Sequence, residues 1–168
     1  VRLANTALDE CRRRVQNETC GHRGRKDDPL WRVRRRLSIA AERLTGDQHD
    51  RLVGLLRAGD PKQEVWFAWN AKEVVRQTYA HSDPQLADAW VAEIVRDFAD
   101  ESMPVEVQRL GRTVAKWAGQ ITAWHRSHVS NGPTEGVNNL AKRIKRVAFG
   151  IVNFRHHRVR CLLYAGKP

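Results

Sequence analysis

The stretch Ser130-Asn131-Gly132-Pro133-Thr134-Glu135-Gly136-Val137-Asn138-Asn139-Leu140-Ala141-Lys142-Arg143-Ile144-Lys145-Arg146 joins a helix-start signal, one isolated carboxylate and a basic face. Ser130 and Asn131 are cap-type residues and Gly132 permits a tight entry. Pro133 suits a first helical turn, where its missing N–H is no loss. Glu135 is thereby placed in the first turn of a helix. Val137, Leu140, Ala141, Ile144 and Ala148 recur at helical spacing and are expected to face a core. That leaves Lys142, Arg143, Lys145 and Arg146 towards solvent or a polyanion.

Outward from this stretch, the rest of the chain is helical in pattern as well. Residues 2–19 place Leu3, Ala7, Cys11 and Val15 at fourfold spacing, and Gly21-His22-Arg23-Gly24-Arg25-Lys26 breaks that helix. Asp28-Pro29, Asp60-Pro61 and Asp83-Pro84 each read as an N-cap followed by proline at the first helical position. They are expected to open helices carrying Leu30, Val33, Leu37 and Ala41; then Val65, Trp66, Trp69, Val74 and Tyr79; then Leu86, Trp90, Ile94 and Phe98. Leu52, Leu55 and Leu56 make a short helix ending near Gly59. After Pro104, Val107, Leu110, Val114, Trp117, Ile121 and Trp124 form a seam for packing against another helix. Trp66, Trp69, Trp117 and Trp124 could stack on bases, but their places on apolar stripes assign them to the core. Only Phe149-Gly150-Ile151-Val152 is ambiguous between strand and helix.

The chain has 168 residues, 41% of them hydrophobic, enough for a real core. No run approaches the ~18 apolar residues a membrane span needs, and the first residues lack an apolar signal core. A cytoplasmic protein with no membrane partner is expected. Cys11, Cys20 and Cys161 are odd in number and lack a CxxC pairing, so reduced thiols are the default. Neither Cys20 with His22 nor His156 and His157 with Cys161 has the spacing of a zinc site. The formal charge is +11 and is unevenly spread. Residues 1–36 hold eleven Lys/Arg against five Asp/Glu, residues 37–129 eleven against thirteen, and residues 130–168 eight against one. Two basic ends around a near-neutral middle point to nucleic acid at the ends and scaffold between them, although such asymmetry also serves solubility.

The quoted stretch, continued by Val147-Ala148-Phe149-Gly150 and Asn153-Phe154-Arg155, closely resembles the C-terminal signature of the ISL-three family of bacterial insertion-sequence transposases. Residues 1–10, Gly21 to Lys26 and Asp28-Pro29-Leu30 resemble the family too. The resemblance implies a DDE enzyme, in which two aspartates and one glutamate on an RNase-H-like core hold divalent metal ions. The glutamate lies in an Asn-Gly-x-x-Glu run, and here it is Glu135. An acidic residue in a first helical turn is by itself an ordinary dipole-favoured surface residue; it is the resemblance that implies a catalytic metal ligand. Hard oxygen ligands suit Mg²⁺, and two such ions ~4 Å apart can activate the attacking oxygen and stabilise the leaving one. The family's segment bearing the second aspartate precedes the equivalent of Val1, and the first aspartate lies further upstream. Neither is among these residues, so a C-terminal fragment without activity of its own is expected.

The sequence therefore leads to an all-α chain of about seven helices. Residues 1–129 would be a helical insertion-like region and residues 130–168 the catalytic-glutamate helix with a basic tail, the strands of the RNase-H-like core being mostly absent. DNA is the expected partner, bound by Lys142, Arg143, Lys145, Arg146, Arg155, Arg158, Arg23, Arg25 and Lys26. Mg²⁺ is the cofactor implied for the complete enzyme, and homo-oligomers are compatible with it. A basic helical DNA-binding protein without chemistry, or a decayed transposase remnant, is the alternative.

Overall fold

The chain folds as eight α-helices in a computed structural model that describes residues 1–128, 132–149, 151 and 153–165. They are α1 (Arg2–Cys20), α2 (Pro29–Leu37), α3 (Gly46–Gly59), α4 (Glu64–Gln77), α5 (Pro84–Phe98), α6 (Val105–Ser127), α7 (Gly132–Val147) and α8 (Phe154–Ala165). Short 3₁₀ turns at Ala41–Arg43 and Thr78–Ala80 follow α2 and α4. There is no strand among the described residues. The helix beyond the expected seven is α8, which follows the ambiguous stretch. Phe149 itself sits in a turn, and Gly150 and Val152 lie outside the described residues. No helix among the described residues is long and apolar enough to cross a membrane. The chain divides into two units, Val1–Arg126 and Ser127–Pro168.

In the first unit α1 packs on α4 and α2 on α3. The core gathers Leu8, Cys11 and Val15 of α1, Leu30, Val33 and Leu37 of α2, and Leu52 and Leu56 of α3. Val65 and Trp69 of α4, Val91, Ile94 and Phe98 of α5, and Val107, Leu110 and Val114 of α6 complete it. The expected stripe on α1 needs one correction, because Leu3 is 60% exposed and Ala4 takes its place. Residues four apart drift by ~40° per step on a helix of 3.6 residues per turn, so a strict fourfold line leaves the contact face. Trp117 is also corrected: at 49% exposed it lies outside the core, whereas Trp69 is 4% exposed. Trp66 packs at the core's edge.

Two of the three Asp-Pro pairs begin helices as read. Asp83 accepts the Gln85 N–H at 2.8 Å at the head of α5, and Asp28 precedes Pro29 at the head of α2. The third does not. Asp60 follows the end of α3, and α4 starts only at Glu64, after Gln63 in the left-handed region at φ 59°. Asp60 still caps α4 from across that turn, since its Oδ2 accepts the Trp66 N–H at 2.9 Å. Burial raises its pKa above the ordinary carboxylate value, and the amides of Trp66, Val65 and Glu64 pull the other way. A carboxylate at a helix head is favourable wherever it enters the sequence, so the dipeptide marks the cap without marking the first helical residue.

Some of the polar groups buried by the packing find partners distant in sequence, while both side-chain polar atoms of Gln16 find none. Lys72 is fully buried, and its Nζ donates to the carbonyls of Leu37 at 2.7 Å and Ile39 at 2.9 Å while pairing with Glu73 at 2.5 Å. It thereby caps the end of α2 with donors that the helix itself could not supply. Arg14 joins α1 to Glu64 at the head of α4 and to Glu106 at the head of α6.

Candidate nucleic-acid interface and the Glu135 helix

The second unit is built on α7 and α8. Pro133 and Glu135 fall in the first turn of α7, as the sequence predicts; Ser130 and Asn131, read as its caps, lie outside the described residues. At ~100° per residue, Lys142 and Arg146 fall within ~20° of the direction of Glu135, and Arg143 and Lys145 flank them. All five side chains are exposed. Lys142 stands two turns from Glu135, about 10 Å along the axis. Ile144 is on the opposite side and is 7% exposed, the one buried side chain of the helix.

The apolar face of α7 is only partly covered. Leu140, Ala141 and Ala148 are half-buried, but Val137 is 59% exposed, against the sequence expectation. The reason is where α8 sits. Arg160 and Tyr164 of α8 meet Leu140, Arg143, Ile144 and Val147 of the C-terminal half of α7, and Ala148 just beyond it, around a cavity of about 260 Å³. Asn153 caps α8, its Oδ1 accepting the Arg155 N–H at 2.9 Å. Arg155 and Arg158 of this helix are exposed, as are Leu162 and Leu163.

Charge in this unit is almost all of one sign. Glu135 is the one acidic residue from 127 to 168, against eight Lys/Arg. None of Lys142, Arg143, Lys145, Arg146, Arg155 and Arg158 has an acidic partner among the described residues. Unpaired cations along an exposed helix are suited to a phosphate backbone, which each can approach without first breaking an ion pair. The remaining predicted contacts, Arg23, Arg25 and Lys26, belong to the other unit, on the loop between α1 and α2, and are exposed there. The sequence reading counted residues 1–36 as a basic end and expected α2, but did not name its Arg32, Arg35 and Arg36 as contacts. Their helical spacing was the available signal.

A metal site needs more than this stretch contains. Glu135 offers two oxygens where Mg²⁺ takes six ligands, and among the described residues no three His, Cys, Asp or Glu side chains come together. The residues present do not by themselves fit a metal pair.

The profile of the family DDE_Tnp_ISL3, described as transposase, matches residues 1–161. No curated protein and no solved structure matches the chain. The profile covers the first unit and runs through α7 into α8 as far as Cys161. The chain belongs to the ISL-three family of DDE transposases.

Proposed function

We propose that this chain is the C-terminal part of an enzyme of DNA transposition, holding DNA through its basic faces and contributing Glu135 as one ligand of a divalent-metal site. The other acids of that site are not among these 168 residues, and the chain alone is expected to bind DNA without cutting it. Residues 1–129 serve as the helical insertion and residues 130–168 carry the glutamate. The observation that carries the reading is the alignment on α7: the single carboxylate of the unit shares one exposed stripe with Lys142 and Arg146. Such a stripe lets the cations fix a phosphate backbone while the carboxylate stands beside it.

The test uses an enzyme restored with the family's two upstream aspartates. Glu135→Gln keeps the side chain's size but weakens metal ligation, so Mg²⁺-dependent cleavage at insertion-sequence ends should fall by roughly 10²-fold or more with DNA affinity retained. Near-normal cleavage by that variant would sink the ligand role. A second reading, a DNA-binding protein without chemistry, rests on the eight Lys/Arg that stand against one acid from 127 to 168; a restored enzyme that binds element ends and never cleaves them would select it.

A further inference from the structure

Many arginines of the first unit are ion-paired, whereas Arg2, Arg43, Arg51, Arg57 and Arg112 stand singly along it without an acidic partner among the described residues, so what marks a surface is clustering. Arg12 and Arg13 pair with Asp9, Arg76 with Glu42 and Glu73, Arg96 with Glu93, Arg109 with Glu10 and Arg126 with Asp88. The side chains of Arg23, Arg25, Lys26, Arg32, Arg35 and Arg36 have no acidic partner among the described residues. These six stand within fourteen residues, and all but the half-buried Arg36 are exposed. On α2, Arg32, Arg35 and Arg36 span one face, opposite the buried Leu30 and Leu37. The loop before it is held against the helix. Gly24, at φ +112°, lies so close to Trp31 that an added Cβ would come within 2.9 Å of the ring, and the Arg25 N–H donates to the Asp28 carboxylate. Arg34 covers the Trp31 ring at 4.0 Å. Loop and helix thus form one cationic surface, with Asp27 its exposed acid.

We infer that the face of α2 bearing Arg32, Arg35 and Arg36, with the adjoining loop of Arg23, Arg25 and Lys26, is a second duplex-DNA surface that grips the phosphate backbone separately from α7. The inference rests on DNA being the partner, as proposed above, but assigns a contact of its own to the first unit. Charge complementarity selects the partner. Five of the six cations are arginines, whose planar fork takes two phosphate oxygens at once. A duplex presents one negative charge per ~1.7 Å of axis, so three arginines spread over ~6 Å of α2 find phosphates without sequence register. A membrane surface would also attract the charge, but membrane-binding helices place a large apolar face in the bilayer. No large hydrophobic side chain is exposed from residue 21 to 37.

The test measures the full chain's affinity for a duplex of arbitrary sequence against NaCl concentration. Replacing Arg32, Arg35 and Arg36 together by alanine should lower the slope of log affinity against log salt by about 3, at ~0.9 for each phosphate no longer neutralised. The lysine triple should keep the slope. Alanine at Lys142, Arg143, Lys145 and Arg146 is the parallel variant, and circular dichroism checks that each protein is folded; a glutamine triple replaces any alanine triple that is not. An unchanged slope in a folded α2 triple, with a reduced one in the α7 variant, overturns this inference and leaves the proposed function standing. The reverse pattern supports the α2 surface and removes DNA contact from α7. No salt-dependent DNA binding by the wild-type chain overturns both. If the α2 triple instead abolishes binding to phosphatidylserine vesicles while its DNA slope is unchanged, the face belongs to a membrane and the inference falls.

Discussion

Arg14 and Glu106, 92 positions apart in the chain, form a two-pronged ion pair: Nε donates to Oε1 at 2.8 Å and Nη2 to Oε2 at 3.0 Å. The pair ties α1 to the first turn of α6, and Nη1 of the same arginine reaches Glu64 at 2.7 Å. Burial alone would push the Glu106 carboxyl up, but the Arg14 hydrogen bonds, the backbone and the charges of Arg14 and Arg109 hold it below its ordinary value. Removing one partner of a largely buried pair leaves the other charge desolvated. Arg14→Ala should therefore destabilise the chain by about 2–4 kcal/mol, read from urea unfolding.

The same pair gives a pH dependence of definite sign. A carboxyl with a depressed folded pKa binds fewer protons when folded, so its contribution is complete above its unfolded value of 4.5 and is lost as the pH falls through the folded one. Wild type should lose stability through that acid window. Glu106→Gln should be less stable near neutrality and show a shallower acid decline in thermal melts at several pH values.

Two glycines of α6 should respond oppositely to alanine. A Cβ at Gly111 would lie 2.7 Å from the Phe98 Cβ, while Gly119 has nothing within 4 Å. Alanine gains about 1 kcal/mol of helix propensity over glycine at either site, but forcing α5 and α6 apart costs about 1–3 kcal/mol. Gly119→Ala should raise the melting temperature and Gly111→Ala should lower it or leave no net gain. Equal gains at both sites would contradict the close helix approach.

Lys72 should be irreplaceable by an apolar residue of its own length. Lys72→Met leaves the Leu37 and Ile39 carbonyls without their donor and Glu73 without one of its two cations, Arg76 being the other at 2.6 Å. The loss should be about 2–4 kcal/mol. Lys72→Met with Glu73→Gln should recover part of it, since the carboxylate charge that Arg76 alone would then offset is removed.

In the chain as it stands, Glu135→Gln should leave DNA affinity unchanged or raise it slightly. The substitution removes the one negative charge from a stripe shared with Lys142 and Arg146. Fluorescence anisotropy at low salt checks this, and a large loss of affinity would place Glu135 in the binding contact itself.

Periodicity, caps and charge were sufficient for much of this protein. Apolar residues at helical spacing announced seven of the eight α-helices, because a helix repeats its core face every three or four residues whatever it packs against. The run around Glu135 was enough to place that carboxylate in a first turn and its cations on one side. What only tertiary structure decided depends on neighbours distant in sequence. Whether an apolar residue is covered is a property of the partner helix: Ile144 is covered by α8 and Val137, at the same spacing, is not. Asp60 caps a helix that begins four residues later because a left-handed turn at Gln63 brings the chain back. The distinction between paired and unpaired arginines was also beyond the sequence. An arginine of α1 and one of α2 read alike in composition; folding brings acids to Arg14 from α4 and α6 and none to Arg32. Local propensity acts through bonds within a few residues, but pairing and burial act through space, so only the folded chain reveals which cations remain available to a phosphate backbone.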